Sequence, residues 1–183
     1  MRGTRPLTTE ELAKVLTAAP SPRDRALLAV CANTGTRISE ALALTVGDVR
    51  GKAELALARA NTKGKRTGRV VPMNATVRAE CAAFLATRPE AVDADPLFPS
   101  RKGSGSLTRG QAWRGVKVAA LAAGIDPSRV ATHSFRKTFA TRLDRAGVRL
   151  AVLRDLLGHS SISVTEAYLA TTASEAAAAV ALL

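Results

Sequence analysis

The sequence predicts a mainly α-helical domain with a small antiparallel β-sheet, an α+β fold. Apolar residues recur at helical spacing through most of the chain, and capping residues precede several of these segments. Between Ala53 and Pro72 the pattern changes to short alternating runs, which are typical of strands. The length of 183 residues suffices for one domain with a proper core and not obviously for two. We therefore expect residues 1–183 to form a single domain.

The first third of the chain is predicted to hold three helices. Thr8 and Glu11 have the spacing of a capping box, which starts the first helix. Ser21 and Pro22 start the second, with serine as the cap and proline in the first turn. A turn then delivers Arg37 to the start of a third helix, whose apolar residues face inward.

The alternating runs predict a β-hairpin, with a third strand before it as an open alternative. Its strands are Glu54–Ala58 and Arg69–Pro72, and a polar segment separates them. The tip and its flank are basic, with Lys63, Lys65, Arg66 and Arg69. A solvated basic turn is the ordinary interpretation of such a tip, and contact with a polyanion is the other.

The rest of the chain is predicted to be helical. Asn74 caps one helix and Thr108 caps another. Trp113 sits among small residues, so we expect it to anchor the core rather than to serve as a platform on which a base stacks. Gly147 and Gly158 end the later helices, because glycine adopts the left-handed conformation that often terminates a helix.

Composition narrows the classes of protein. Lys and Arg number 27 against 15 Asp and Glu, a net charge of +12, which favours a polyanionic partner such as nucleic acid over a merely soluble basic protein. Cys31 and Cys81 lie in apolar helical patterns, so buried free thiols are expected, and two cysteines are too few for a zinc site. The amino terminus lacks the apolar core of a signal peptide, and no apolar run approaches membrane-spanning length. These features indicate a cytoplasmic protein.

Both histidines and the only tyrosine of the chain fall in its last third. His133 and Arg136 are three residues apart, so on a helix started by Ser134 they share a face or stand at its amino-terminal end. His159 follows a Leu-Leu-Gly sequence, and Tyr168 lies nine residues further on. A phenol, two imidazoles and a guanidinium brought together suggest covalent phosphoryl transfer with the phenol as nucleophile. Candidates for the second cation and the proton donor lie upstream, at Arg37 and Lys63.

Four segments resemble the conserved boxes of the tyrosine recombinase (phage integrase) family. Thr34–Leu44 resembles its first arginine box, and Thr62–Arg66 resembles the β-hairpin that carries its lysine. His133–Arg136 is similar to the His-x-x-Arg box. Leu157–His159, followed at the right spacing by Tyr168, is similar to the closing box and nucleophile. Four boxes in the right order are far more specific than one, and the resemblance spans nearly the whole chain.

The resemblance implies the fold of a tyrosine recombinase catalytic domain and a set of site residues. The implied catalytic residues are Arg37, Lys63, His133, Arg136, His159 and Tyr168. In this interpretation Arg37 binds the scissile phosphate and Glu40 supports it, although such a pair is also an ordinary surface ion pair worth tenths of a kcal/mol. The hairpin lysine protonates the leaving 5′ oxygen. Lys63 fits that position best, and Lys65 stays an alternative. The product is a 3′-phosphotyrosyl link formed without a metal, cofactor or ATP.

The implied partner is double-stranded DNA. The candidate DNA-contacting residues are Lys65, Arg66, Arg69, Arg101 and Lys102. The glycine-rich segment 101–106 lacks the ending of a P-loop, so it either touches the DNA backbone or has no role. The segment after Tyr168 predicts a helix that either covers its own core or docks onto a neighbouring subunit of a tetramer on DNA.

The sequence departs from most of the family before Arg37. Most members carry a separate amino-terminal domain that clamps the other face of the DNA, and we expect that domain to be absent here. The chain is then either an excised catalytic domain or a natural single-domain enzyme, similar in layout to the fimbrial phase-switching recombinases. Two other functions stay open: relaxation of DNA supercoils, as in type IB topoisomerases, and a non-catalytic DNA-binding accessory module. We expect a protein of the cytoplasm that associates with the nucleoid.

Overall fold

The computed structural model describes residues 4–57, 68–100, 105–159 and 161. These residues form seven α-helices and a two-stranded antiparallel sheet, so the predicted fold class is confirmed. The helices are α1 (Thr9–Thr17), α2 (Pro22–Thr34), α3 (Ile38–Ala41), α4 (Ala75–Ala86), α5 (Arg109–Ala122), α6 (Thr132–Arg145) and α7 (Leu150–Leu157). The strands are β1 (Glu54–Leu57) and β2 (Arg69–Pro72). No helix in this part of the chain combines the length and apolarity needed to cross a membrane.

The predicted caps start the first two helices. The Thr8 side chain accepts the backbone N–H of Glu11, whose carboxylate accepts the Thr8 N–H in return. The Ser21 hydroxyl caps α2 by accepting the backbone N–H of Asp24. Two boundaries differ from expectation. The sequence predicted a turn over Asn33–Thr36, but α2 continues through Thr34, whose hydroxyl donates to the Val30 carbonyl. The third helix is only one turn long.

The predicted hairpin is confirmed in its two strands. In the antiparallel register Leu55 lies opposite Val71, and both side chains are buried. The neighbouring residues Glu54 and Val70 are exposed, as the alternation of a half-buried strand requires. The described residues contain no third strand in this sheet. The tip of the hairpin, 58–67, lies outside the described residues.

The α2 helix occupies the centre of the molecule. It packs against α4 and α6, and every residue of 26–32 is buried. A helix that is apolar all round is typical of such a position. Cys31 and Cys81 are buried free thiols, as predicted, and burial raises the pKa of each thiol to about 12. The carboxyl end of α2 carries Gly35, on which the candidate site is built.

Trp113 is not a core anchor, so that prediction is wrong. Its side chain is 49% exposed, and the Lys117 ammonium lies 5.1 Å from the centre of its ring. The α5 helix buries a stripe of small residues instead, which includes Ala112, Val116 and Ala119. Trp113 follows Ala112 directly and is therefore rotated about 100° away from that stripe.

The α6 helix begins two residues earlier than predicted. It starts at Thr132, so Ser134 lies inside its first turn, and the Ser134 hydroxyl accepts the backbone N–H of Ala131. This hydrogen bond links the N-cap residue Ala131 to a side chain in the first turn of the helix. As a result His133 stands in the first turn of α6 and Arg136 one turn deeper.

Replacing Gly35 by alanine is expected to destabilise the fold by roughly 2 to 5 kcal/mol. Gly35 has a φ of +62°, and a Cβ there would lie 2.5 Å from Phe139 Cδ1 and 3.0 Å from Leu157 Cδ2. The left-handed conformation costs an alanine about 1 to 2 kcal/mol, and overpacking adds about 1 to 3. Urea denaturation monitored by circular dichroism measures the change.

Gly51→Ala is the matched control. Gly51 has a φ of +67°, and a Cβ placed there would have no neighbouring atom within 4 Å, so only the conformational cost applies. Equal losses in the two variants would contradict the packing of Phe139 and Leu157 on Gly35.

Candidate active site

The turn after α2 presents Arg37 to solvent. Gly35 ends α2 in the left-handed conformation, and Arg37 becomes the residue that precedes α3. The Glu40 carboxylate accepts the Arg37 backbone N–H at 2.8 Å and Arg37 Nη1 at 3.0 Å. The Arg37 side chain is 43% exposed and the Glu40 side chain 7%. The carboxylate therefore holds the Arg37 backbone and one guanidinium nitrogen, while the side chain stays partly exposed to solvent.

Glu40 has a second cationic partner in Arg69, the first residue of β2. Arg69 Nη1 and Nη2 donate to the two carboxylate oxygens of Glu40, each at 2.8 Å, and Arg69 Nε donates to the Leu156 carbonyl at 2.9 Å. Burial alone would raise the pKa of the Glu40 carboxyl, but the hydrogen bonds from Arg69 and from the Arg37 backbone hold that pKa at about 2. Glu40 is thus ionised throughout the physiological range.

Arg136, on α6, is buried, with 1% of its surface exposed. Its Nη1 donates to the Gly35 carbonyl and its Nη2 to the Leu157 carbonyl, the latter at 2.6 Å. Both acceptors belong to the end of a helix, where carbonyl groups lack partners within the helix. One side chain of α6 therefore ties together the carboxyl ends of α2 and α7.

His159 stands beside Arg136 because α7 ends at Gly158. Gly158 has a φ of +63°, and the His159 backbone N–H then donates to the Arg154 carbonyl. Arg136 Nη2 and His159 Nε2 are 2.8 Å apart. An arginine only donates, so Nε2 is the acceptor here, and a neutral ring then carries its proton on Nδ1. His133 is exposed at the mouth of the same site.

The field at the site is positive. The pKa of His159 is lowered to about 4, first by burial and then by the charges of Arg136, Arg37 and Arg69. The pKa of His133 is also lowered, by partial burial and by Arg136, Lys137 and Arg37. Arg136 and Arg37 therefore act on both imidazoles. Two histidines and at least two guanidinium groups converge here, an arrangement suited to a phosphate.

The structure brings together five of the predicted site residues, namely Arg37, Glu40, His133, Arg136 and His159. Six others lie outside the described residues: Lys63, Lys65, Arg66, Arg101, Lys102 and Tyr168. Arg69 was predicted to contact DNA, and in the structure its guanidinium contacts Glu40 and Leu156. The catalytic and DNA-binding roles of all these residues stay predictions. In the described part of the chain, no three or more His, Cys, Asp or Glu side chains are grouped as metal ligands.

Sequence patterns did not predict the main-chain groups that form part of the site. The carbonyls of Gly35 and Leu157 hold Arg136, and the Leu156 carbonyl holds Arg69. A carbonyl has no signature in a sequence. The predicted helix ends were an indirect signal, because helix termini leave carbonyl groups available for side chains.

Comparison with known proteins identifies the family of the chain. The phage integrase family matches residues 5–175. The chain belongs to that family. The tyrosine recombinase XerD of Caulobacter vibrioides is 37% identical to it over 179 residues, which cover 88% of this chain and 56% of that protein. The chain therefore spans about half the length of this relative.

Solved recombinase structures share the fold. The XerA recombinase has a TM-score of 0.80 and 27% sequence identity, over 94% of this chain and 62% of that one. The XerH site-specific recombinase bound to difH substrate, a pre-cleavage complex, has a TM-score of 0.73 and 25% identity, over 95% of this chain and 53% of that one. The predicted tyrosine recombinase fold is thus confirmed.

His159 is expected to titrate well below the usual imidazole range. Its pKa of about 4 lies below the unfolded value of about 6.5, so between these two values the unfolded chain binds a proton that the folded site excludes. Stability should fall as the pH drops through this window, and His159→Gln should reduce that loss. NMR titration of the two imidazoles, assigned with His133→Gln, measures both values directly.

An anion bound between the cations should raise the pKa of His159, because it offsets the neighbouring positive charges. A His159 pKa at or above 6.5 in the unliganded protein would contradict the cluster of Arg136, Arg37 and Arg69 around the ring.

Proposed function

We propose that the chain is the catalytic domain of a site-specific DNA recombinase that cleaves and rejoins strands through a 3′-phosphotyrosyl intermediate on Tyr168. The observation that carries the proposal is the convergence of Arg37, Arg136, His133 and His159 on one positive site, which the hairpin strand β2 borders through Arg69. The names of the relatives and the DNA-bound state of XerH support it.

The scissile phosphate binds first to Arg37, the most exposed guanidinium of the cluster. Arg136 Nη2 already points toward His159 Nε2. When a non-bridging phosphate oxygen displaces the His159 ring from Arg136 Nη2, that oxygen accepts from Arg136. The anion raises the pKa of His159, and the protonated ring donates to the same oxygen. Both arginines then neutralise the charge that grows on the phosphorus oxygens in the transition state.

Tyr168 attacks the phosphorus from the side opposite the 5′ oxygen. A free phenol has a pKa near 10, so ionising it at pH 7 costs about 4 kcal/mol, and an isolated tyrosine is a poor nucleophile. His133 accepts the phenol proton. Its lowered pKa keeps it unprotonated, and therefore able to act as a base, at neutral pH. The departing 5′ oxygen receives its proton from Lys63, with Lys65 as the alternative donor.

The phosphotyrosyl link conserves the energy of the broken phosphodiester. A 5′ hydroxyl from another strand attacks the phosphorus, releases Tyr168 and reseals the DNA without ATP or a metal ion. Charge stabilisation in this scheme comes from Arg37 and Arg136, each of which is a donor of the kind whose removal costs about 3 to 4 kcal/mol.

Double-stranded DNA is the proposed partner. The net charge of +12 favours binding to the DNA backbone, and four basic residues are the proposed contacts. These four residues are Lys65, Arg66, Arg101 and Lys102. The domain works in a tetramer on DNA, held by the segment that follows Tyr168. Its place of action is the nucleoid in the cytoplasm.

Incubation with nicked suicide duplexes should trap the intermediate. The duplexes come from the DNA that flanks the native gene, and the nick lets the short cleaved strand diffuse away before it can be religated. The wild-type protein should give a slower band on a denaturing gel, and Tyr168→Phe should give none, because it lacks the nucleophilic oxygen. Mass spectrometry of the adduct identifies the linked residue.

DNA binding by both proteins, measured on the same duplexes, is the control. Binding without an adduct in the wild type would contradict the proposal and favour an accessory module. An adduct accompanied by relaxation of plasmids that lack paired sites would favour a topoisomerase.

A further inference from the structure

Arg69 is held in a position from which it reaches three parts of the site. Its two terminal nitrogens bind Glu40, the residue that supports Arg37. Its Nε binds the carbonyl of Leu156, in the last turn of α7. Its own backbone begins β2, directly after the hairpin tip that carries the candidate lysine. A single side chain, of which only 14% is exposed, thus connects these three segments of the described structure.

Gly158 fits against the same guanidinium. A Cβ added at Gly158 would lie 3.0 Å from both Cδ and Nη1 of Arg69. The Arg69 side chain therefore lies flat against the turn that carries His159. Gly158 has no side chain, which permits this approach. It also adopts the positive φ that ends α7.

The contacts of the Glu40 carboxylate indicate the electrostatic role of Arg69. One carboxylate oxygen accepts Arg69 Nη1 and Arg37 Nη1, and the other accepts Arg69 Nη2 and the Arg37 backbone N–H. Without Arg69, a carboxylate that is only 7% exposed would keep Arg37 as its cation among the residues described. It would then draw the Arg37 guanidinium inward, out of alignment with the reacting phosphate.

We propose that Arg69 is a positioning residue of the strand-cleavage reaction, which acts by fixing Glu40 and the Gly158 turn rather than by binding DNA. The inference rests on the proposed function. These contacts require the planar fork of an arginine, because two nitrogens bind the two carboxylate oxygens and a third binds a carbonyl. Lysine cannot reproduce this arrangement. Arg69 aligns Arg37 on one side and His159 on the other, and both are held relative to the hairpin.

Arg69→Lys tests this role, because it keeps the positive charge and loses the fork. Under single-turnover conditions with saturating protein, the cleavage rate of a nicked duplex should fall about tenfold to a hundredfold, the effect of misplacing reacting groups by a fraction of an ångström to one ångström. The dissociation constant for the same duplex and its dependence on salt should stay unchanged. A merely structural role would not separate the rate from the affinity in this way.

Arg25→Lys is the matched control. Arg25 also binds a glutamate through two nitrogens, Nε and Nη2 to Glu80, and it lies ten residues before Gly35 on α2, about 15 Å along the helix. This variant should cleave at the wild-type rate. Equal rates for Arg69→Lys and Arg25→Lys would overturn the proposal.

The affinity separates the proposal from a direct DNA contact. If Arg69 bound a phosphate, its replacement by glutamine would weaken binding and reduce the salt slope by about one, with an unchanged rate at saturation. That result would also overturn the proposal. No adduct with the wild-type protein would instead refute the proposed function, so the two failures are distinguishable.

Glu40→Gln supplies a second variant in case Arg69→Lys does not fold. It removes the charge that both arginines share and nearly preserves the shape. The proposal predicts a reduced cleavage rate at saturation with unchanged affinity. It also predicts that Arg69→Lys combined with Glu40→Gln loses little more than the worse single variant, since the two residues act as one unit. An unaffected rate in Glu40→Gln, or additive losses in the double variant, would contradict it.

Discussion

The buried guanidinium of Arg136 is the interaction on which the rest of the site depends. It binds the Gly35 carbonyl, 101 residues earlier in the chain, and the Leu157 carbonyl, 21 residues later. Removing a charged group from water is costly unless its hydrogen bonds are replaced, and two helix ends replace them here. These carbonyl acceptors are neutral, so they orient the guanidinium without cancelling its charge. The same residue that joins α2, α6 and α7 thus supplies positive potential to the site. Burial is the main cause of the lowered pKa of His159, and the charge of Arg136 lowers that pKa further.

The three arginines of the site divide two tasks according to their burial. Arg136 is buried, Arg69 is mostly covered, and Arg37 is the exposed member. The buried guanidinium groups hold protein atoms, namely carbonyls and the Glu40 carboxylate, whereas Arg37 shares Glu40 and extends into solvent. Such an order suits a site that must be organised before its substrate arrives, because the alignment of the donors is then fixed by folding and costs little during the reaction.

Sequence patterns predicted most of the helices and the two hairpin strands, and they failed where tertiary packing decides. They also named five residues that the structure brings together, whose roles stay predictions. The caps at Thr8 and Ser21 act locally, so their residues alone specify the helix starts. The exposure of Trp113 was missed, because α5 buries a stripe of small residues and Trp113 lies off that stripe. The contacts of Arg69 also could not be predicted from the sequence. A basic residue beside a basic hairpin tip predicts a contact with a polyanion, and only the fold reveals that Glu40 lies opposite it.

A neutral phosphate analogue tests most directly the claim that the cluster stabilises charge on a phosphate. A methylphosphonate at the scissile position replaces one negatively charged oxygen by a methyl group. Arg37→Ala should slow single-turnover cleavage of the ordinary phosphate by about a hundredfold to a thousandfold. On the methylphosphonate isomer that lacks the oxygen facing Arg37, the same variant should differ little from the wild type, because the charge that the arginine offsets is gone. An equal loss on both substrates would contradict the account.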